Sequence, residues 1–328
     1  MERRKWLTAI AASAGMLALI LDSRAALSGA AQGIELCMKT VIPSLFPFLF
    51  LSGIFSAAFS GTNGALFRLL GKVFYFPANT EYLVIPAFLG GYPVGAQCVF
   101  QAYQAGLVEK KQAERMLAFC SNAGPSFIFG ILSSCFQRKA LIFLIWGIQI
   151  LSAWTAARLF SFDNGKTGDE TTLSAASFGI ETAIQAMLKI CGWVILFRIL
   201  ISFLDRWFLW MAAAPLRVAI IGLLELSNGC CSLNLILRED VRFLVCSFLL
   251  AFGGTCVAYQ TASVCHGLGL GYYYMGKMAQ GCTAVFLAAA IYYKRWLLLV
   301  LWMIIVFFTS KYLKKTVEIP SPVVYNGA

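Results

Sequence analysis

Few residues of this chain could do chemistry, and one of them lies where apolar side chains are expected. Glu225 stands inside the strongly apolar stretch 219–226. An ionisable side chain in such a stretch is costly to keep there, so it is a functional candidate by default. We expect Glu225 either to bind a coupling cation or proton, or to form a buried ion pair with an arginine such as Arg198 or Arg217.

Two glycine- and proline-rich motifs interrupt apolar segments in the first half of the chain, at residues 90–95 and 121–126. A break in a membrane helix leaves unpaired backbone groups, which are tolerated only beside protein or a watery cavity. Freed N–H groups at the start of a half-helix favour an anion. The candidate substrate-binding residues here are Gly90, Gly91, Tyr92, Pro93, Gly95, Ser121, Asn122, Gly124, Pro125 and Ser126.

The second half carries a similar order of motifs. Gly33-Ile34-Glu35 recurs as Gly179-Ile180-Glu181, and each tripeptide opens a long apolar segment followed by two glycine-broken ones. Interrupted segments at matching places in two halves predict an internal repeat with a transporter binding site. The alternative is that the glycines serve close helix packing and the proline a kink. The candidates of this half are Asn228, Gly229, Gly253, Gly254, Thr255 and Gln260.

The elements that must position these residues are membrane helices. The chain is 60% hydrophobic and only 12% charged, whereas soluble domains carry about 25% charged residues. A membrane-spanning helix needs roughly 20 largely apolar residues. Candidate spans lie near residues 6–21, 37–59, 82–104, 115–136, 140–160, 176–210, 216–237, 241–262, 278–293 and 296–310. The sequence therefore predicts an all-α, polytopic transmembrane bundle of eight to ten membrane segments, with two repeats that contain broken or re-entrant helices.

The same pattern divides the chain into regions. Basic residues precede a short apolar run at the N-terminus, but no small-residue cleavage site follows at residues 21–24, so we expect an uncleaved first helix. The predicted regions are residues 1–32 (N-terminal transmembrane helix), 33–160 (first repeat), 161–175 (polar linker), 176–293 (second repeat) and 294–328 (C-terminal helix and tail).

Charge and cysteine usage exclude several classes of function. The net charge is +11, but the basic residues lie mostly at the ends of apolar runs, which is typical of membrane topology signals and not of nucleic-acid binding. The 11 cysteines and the single histidine form no metal-binding motif. Phosphate-loop, zinc-protease and hydrolase motifs are missing as well. We therefore expect no metal, no cofactor and no enzyme activity.

Two further groups are interpreted as having no special function. The charged residues between Glu109 and Arg115, which include Glu114, are read as a solvated helix start. Tyr272, Tyr273 and Tyr274 with Lys277 are typical of an aromatic belt at the membrane interface.

Several motifs together resemble a known family. They are Pro43–Phe48, Gly91–Ala96, Ala113–Arg115 and Phe119–Gly130 in the first half, with Gly222–Glu225 and Ala251–Gly254 in the second. Over residues 35–277 the chain resembles the sporulation integral membrane protein YlbJ family, whose "nucleoside recognition" or Gate domain is shared with concentrative nucleoside transporters. The resemblance implies a membrane protein of endospore-forming bacteria, in the mother-cell or outer forespore membrane. It also implies Gate-like repeats and a link to the movement of dipicolinate, a small aromatic dicarboxylate.

The function expected from the residues and the resemblance is secondary transport of a small anionic solute, dipicolinate, by alternating access around the four breaks. One alternative is a nucleoside-type permease of the same architecture. A second is a non-transporting membrane scaffold for spore-envelope assembly. The expected partners are the anionic solute and membrane lipid, with a homo-oligomer or spore-envelope proteins as further candidates.

Overall fold

The computed structural model describes residues 2–60, 62, 64–160 and 179–316, and all regular structure within them is helical. The helices before the central gap are α1 (Glu2–Leu21), α2 (Ser23–Leu36), α3 (Ile42–Phe59), α4 (Ala65–Phe74), α5 (Val84–Leu89), α6 (Val94–Gln104), α7 (Lys110–Met116), α8 (Pro125–Leu132) and α9 (Lys139–Phe160). Those after it are α10 (Ile180–Trp207), α11 (Ala214–Leu224), α12 (Leu226–Cys231), α13 (Glu239–Phe252), α14 (Gly254–Val264), α15 (Gly271–Tyr292) and α16 (Trp296–Thr316). A π-helical turn, Cys37–Val41, joins α2 to α3.

Four helical stretches in the described part of the chain are long and apolar enough to cross a membrane. They are Ser23–Phe59, Lys139–Phe160, Ile180–Trp207 and Glu239–Val264. Lys5–Leu21, Ala214–Leu224 and Trp296–Lys311 are shorter apolar helices. The all-α fold is confirmed, and the long apolar helices are compatible with an integral membrane protein. The count of eight to ten membrane segments stays a prediction.

Large apolar side chains also cover much of the outer surface. Ile20, Leu188 and Leu297 are 75%, 67% and 81% exposed. Exposed apolar area on this scale would aggregate a water-soluble protein, whereas it is the expected surface of a protein covered by lipid.

Each of the four glycine-containing apolar segments is interrupted within its predicted span. The helix stops at residues 90–93 between α5 and α6, and at residues 117–124 between α7 and α8. It stops again at Glu225 between α11 and α12, and at Gly253 between α13 and α14. The break predicted at Asn228 and Gly229 is therefore misplaced, because both residues lie inside α12 and the chain leaves the helical conformation at Glu225. The half-helices on either side have 6 to 14 residues, so none of them is long enough to cross a bilayer alone.

The second break of each half lies close to the first break or to the helix that leads into it. In the first half, a Cβ on Gly124 would lie 3.1 Å from the Cα of Gly91. In the second half, a Cβ on Gly254 would lie 2.8 Å from the carbonyl oxygen of Gly222, and the Thr255 hydroxyl donates to the Leu223 carbonyl at 3.0 Å. In both halves the second break therefore lies close to the helix pair interrupted by the first. The internal repeat stays a prediction.

The long helices hold the broken ones in place. α15 packs against α9 and α13 and reaches α7, where Gly276 lies directly on the Ala118 backbone. α2 packs along α10 at Gly29 and Gly33. α10 is a single continuous helix, although the predicted span 176–210 is longer than one straight crossing needs. The predicted linker, 161–175, lies outside the described residues, and the division into regions stays a prediction.

Candidate functional site

A small cavity lies where the breaks of the two halves meet, with a volume of about 30 Å³. It is lined by Val41, Leu45, Tyr92, Ala123, Gly124, Phe127, Ile190, Val194, Glu225, Leu226, Ser227, Val257 and Gln260. We call this the central cavity. A space of that size holds about one water molecule.

Four residues named from the sequence line the central cavity. Tyr92 and Gly124 come from the two breaks of the first half, while Glu225 and Gln260 come from the second. These residues are far apart in the chain and meet only because the broken helices of both halves converge. Ser227, which was not among the candidates, lies beside them.

Glu225 is held by the start of α12. Its side chain is 1% exposed and accepts hydrogen bonds from the backbone N–H of Ser227 (3.1 Å) and of Asn228 (2.7 Å), and from Asn228 Nδ2 (2.6 Å). The carboxylate is therefore an N-cap of the short helix, which satisfies N–H groups freed by the break.

The ion-pair alternative for Glu225 is wrong in this structure. Arg217 instead forms a salt bridge with Asp205, with N–O distances of 2.8 and 2.5 Å. Arg198 donates to the Gln32 side chain. Both arginines thus have other partners, and Glu225 lines the central cavity.

Tyr92 joins the two halves. Its hydroxyl donates to the Leu250 carbonyl at 2.9 Å, near the end of α13. A Cβ on Gly253 would lie 3.1 Å from the Tyr92 ring, so that glycine gives the ring room to reach α13. Gly253 has a φ of +86°, a backbone conformation that glycine adopts without strain.

Lys277 lies under Tyr92 and is the residue that sequence reasoning missed most clearly. The side chain is 1% exposed, and Nζ donates to Tyr92 Oη (3.2 Å), to Gln280 Oε1 (3.0 Å) and to the Ser121 carbonyl. Nζ also lies 4.8 Å from the centroid of the Tyr92 ring. Three acceptors match the three N–H donors of an ammonium group. Within the described residues, no carboxylate forms a salt bridge with it.

The aromatic-belt interpretation is therefore wrong for three of its four residues. Tyr272, Tyr273 and Lys277 are buried, and only Tyr274, 51% exposed, points outward. The reason is that α15 begins at Gly271, seven residues before the predicted span, so Lys277 falls inside the helix. The spacing of Lys277 and Gln280, flanked by Gly276 and Gly281, was the available signal, because residues three apart share a helix face.

The unwound segment 117–124 is stabilised by polar side chains. Asn122 Nδ2 donates to the Phe119 carbonyl (2.7 Å) and to the Ala87 carbonyl (3.2 Å), and Gln280 Nε2 donates to the Ala118 carbonyl (2.7 Å). With the bond from Lys277 to Ser121, these contacts satisfy carbonyls that the break frees. Asn122 Oδ1 and Ser121 Oγ are buried without a partner in the described part of the chain.

The remaining candidates shape the crossings or lie beside them. A Cβ on Gly91 would lie 2.9 Å from Leu45, and one on Gly95 would overlap the Cys120 carbonyl. Ser126 donates to the Ser44 carbonyl at 3.2 Å. Gly90, Pro93, Pro125, Asn228, Gly229, Gly253, Gly254 and Thr255 are not among the residues that line the central cavity.

The charged turn at the start of α7 needs one correction. Glu114 is 5% exposed and accepts a hydrogen bond from the Gly269 backbone N–H at 2.7 Å. It ties α7 to the loop before α15, so it is not part of a solvated surface. Glu109, Lys110 and Lys111 are exposed as expected.

Among the described residues, no group of three or more His, Cys, Asp and Glu side chains is placed to hold a metal ion. Comparison of the chain with protein-family models, with curated proteins and with solved structures finds no match. The resemblance to the YlbJ family and the expected lack of enzyme activity stay predictions.

Proposed function

We propose that this chain is a secondary transporter of a small solute, with its binding site at the central cavity. The observation that carries the proposal is the meeting of four interrupted helices, two from each half, around one cavity lined by Tyr92, Gly124, Glu225 and Gln260. Secondary transporters place substrate and coupling-ion sites where discontinuous helices of two repeats meet.

The polar content of this region favours a site over simple packing. Glu225, Asn122, Gln260, Gln280 and Lys277 are all buried near the breaks. Polar and ionisable groups inside a membrane protein are costly, and they mark solute or ion pathways. If these positions served only packing, small and apolar residues like those around them would be sufficient.

A small anion is the first candidate for the solute, and dipicolinate is the first compound to test. Two features support an anion: the buried amine of Lys277 beside Tyr92, and the start of α8 at Gly124, a residue of the cavity wall. Glu225 opposes an anion if its carboxylate is charged. We propose that a proton on Glu225 accompanies the solute, because it would remove that repulsion.

A nucleoside-type permease is the second candidate. Ser227, Gln260 and Tyr92 are neutral hydrogen-bonding groups on the same cavity, and they would suit a sugar hydroxyl or a base edge. A role during spore formation, in the mother-cell or outer forespore membrane, rests on the family resemblance. The scaffold alternative has no specific contact that favours it.

The test is solute uptake by purified protein reconstituted in liposomes. We expect saturable uptake of labelled dipicolinate, no uptake of uridine, and loss of uptake in Gln260→Leu. Gln137→Leu is the matched control, because Gln137 is exposed and lies outside the cavity. Uptake of uridine but not of dipicolinate would show that the solute is a nucleoside and not a small anion. Uptake of neither compound by folded, inserted protein would contradict transport of these solutes and favour the scaffold.

A further inference from the structure

The amine of Lys277 is bonded to neutral oxygen atoms. Its Nζ contacts the Ser121 carbonyl, Gln280 Oε1 at 3.0 Å and Tyr92 Oη at 3.2 Å. Gln280 Nε2 donates to the Ala118 carbonyl, which fixes Oε1 as the atom that faces Lys277. Within the described residues, no carboxylate forms a salt bridge with this amine. A proton on Lys277 is therefore held by neutral groups, although a buried charge of this kind is costly.

The single hydrogen of the Tyr92 hydroxyl is already in use. It is donated to the Leu250 carbonyl at 2.9 Å, with the Ala251 carbonyl 3.4 Å away. Tyr92 therefore accepts from Lys277, and the three acceptors around Nζ need three N–H donors. An ammonium has three N–H groups, whereas a neutral amine has two. The observed arrangement is therefore that of the protonated lysine.

Loss of this proton changes the partner of Tyr92. A neutral amine still donates to Ser121 and Gln280, but its nitrogen now carries a lone pair that accepts. Of the three neighbours of Nζ, only the Tyr92 hydroxyl can donate to it, since the other two are carbonyl oxygens. The O–H of Tyr92 then rotates from Leu250 to Lys277, and the hydrogen bond between Tyr92 and α13 is lost.

Gln149 of α9 makes this second arrangement acceptable. The Leu250 carbonyl is buried, and a buried carbonyl without a donor is costly. Gln149 is 3% exposed, and its Nε2 lies 3.5 Å from the same carbonyl. Its Oε1 is buried with no partner in the described part of the chain, so no bond to that atom fixes the amide. A small shift would bring Nε2 into the ordinary range of a hydrogen bond, about 2.7 to 3.2 Å.

Three titratable groups surround the amine within the described structure. They are the Tyr92 hydroxyl, the Cys120 thiol of the unwound segment, and Tyr273 on α15, whose ring centroid lies 6.0 Å from Nζ. All three are neutral when protonated, so none of them supplies a negative charge that would keep the proton on Lys277.

The charged residues of the helices packed against α15 are placed elsewhere. On α7, Glu114 accepts from the Gly269 N–H, and Arg115 lies over the Tyr272 ring. On α9, α13 and α16 the charged residues lie in or near the terminal turns, and one further thiol lies in the interior of α13; they are Lys139, Arg158, Glu239, Asp240, Arg242, Lys311 and Cys246.

We propose that Lys277 is a proton switch that acts through Tyr92. With the proton bound, Tyr92 bridges the two halves by its bond to Leu250, and without the proton this bridge opens. The proton leaves Nζ for solvent, and no covalent bond of Tyr92 changes, because its O–H only rotates. Tyr92 also lines the central cavity. That an open bridge admits solute to this cavity rests on the proposed transport function, whereas the switch itself does not.

The experiment is hydrogen–deuterium exchange of the purified full-length protein in detergent, followed by mass spectrometry at residues 249–256. It is run from about pH 6 to about pH 9, where the proton of a buried lysine can leave, and is corrected for intrinsic exchange at each pH. A lysine loses its proton as the pH rises. We therefore expect protection of this segment to fall about fivefold toward high pH, as for the loss of one hydrogen bond.

Two variants should abolish this pH dependence in opposite ways. Lys277→Met leaves Tyr92 no acceptor except Leu250, so the segment should stay protected at every pH. Tyr92→Phe removes the hydroxyl, so protection should be low at every pH. Lys72→Met is the matched control, because Lys72 is exposed and its loss should leave the wild-type profile.

The outcomes separate the switch from transport. A flat wild-type profile would overturn the switch even in a protein that takes up solute, and so would a pH dependence that survives in both Lys277→Met and Tyr92→Phe. Glu225→Gln tests the other titratable group near the breaks. Loss of the pH dependence there, with its retention in Lys277→Met, would place the switch at Glu225 and overturn the proposal. A pH dependence that both variants abolish, in a protein without uptake, would keep the switch and reject the transport function.

Discussion

The ammonium of Lys277 lies 3.2 Å from the hydroxyl oxygen of Tyr92, and the two residues are 185 positions apart in the chain. The Tyr92 hydroxyl accepts from Lys277 and donates to Leu250. One side chain of the first half is thus held between two helices of the second. This contact brings the buried amine of Lys277 to the junction of the broken helices.

Replacing Lys277 tests whether its charge serves transport. We expect Lys277→Met to reduce dipicolinate uptake at least about tenfold, as the loss of one charge-assisted contact would. It should also lower the temperature of thermal unfolding, because the Ser121 carbonyl and Gln280 Oε1 lose their donor, although an apolar chain avoids the cost of burying an amine. Uptake in liposomes and thermal unfolding in detergent measure the two effects. The control is Lys72→Met, at an exposed lysine. Normal uptake in Lys277→Met would assign the lysine to packing alone.

Removing the Tyr92 hydroxyl tests the link between the halves. We expect Tyr92→Phe to lower the free energy of unfolding by about 1 to 3 kcal/mol, because the Leu250 carbonyl loses its donor and Lys277 loses an acceptor. Tyr103→Phe should change it little, since Tyr103 is only half-buried and lies near the end of α6, away from this junction. In a double-mutant cycle with Lys277→Met, the two losses should not add. Additive losses would show that the two side chains act independently.

The glycine at the first crossing gives a stability prediction with an internal control. A Cβ at Gly95 would overlap the Cys120 carbonyl, so we expect Gly95→Ala to destabilise the protein by about 1 to 3 kcal/mol. A Cβ at Gly147, in the middle of α9, would meet nothing within 4 Å. Gly147→Ala should therefore stabilise the protein by about 0.5 to 1 kcal/mol through helix propensity. Unfolding in detergent measures both, and a neutral Gly95→Ala would contradict the close crossing.

Two substitutions at Glu225 distinguish its two roles, helix capping and proton coupling. We expect Glu225→Gln to keep solute exchange across the membrane but to lose accumulation driven by a pH gradient, because the amide cannot carry the proton. Glu225→Ala should also lower the free energy of unfolding by about 1 kcal/mol through the lost N-cap. Uptake with and without an imposed pH gradient measures the first effect. If the Glu225→Gln variant still accumulates solute in response to the pH gradient, Glu225 is not the coupling site.

The interruptions of the helices could be predicted because their causes are local. Glycine and proline within a few residues disrupt a helix wherever it packs, and three of the four interruptions fall at the predicted glycine motifs. The break predicted at Asn228 and Gly229 falls instead at Glu225, and both residues lie inside α12. Glu225 could be singled out for a similar reason, since a lone acid in an apolar stretch is visible in the sequence.

Burial that depends on tertiary contacts could not be predicted in the same way. Lys277 follows three tyrosines, a pattern that is equally typical of a membrane interface, and its burial is decided by α7 and the unwound segment against α15. Glu114 was expected to be solvated because its neighbours are charged, but its carboxylate accepts a hydrogen bond from the Gly269 N–H. The groove between α6, α10 and the residues after α14 could not be predicted either, because no local motif connects its walls.

The donors that stabilise the unwound segment 117–124 also set an order of events in biosynthesis. The carbonyls of Ala118 and Ser121 receive their hydrogen bonds from Gln280 and Lys277, which leave the ribosome 162 and 156 residues later. The first half therefore cannot complete its native hydrogen bonding while it is being inserted. Its broken helices reach their final arrangement only after α15 has been made, so the two halves mature together.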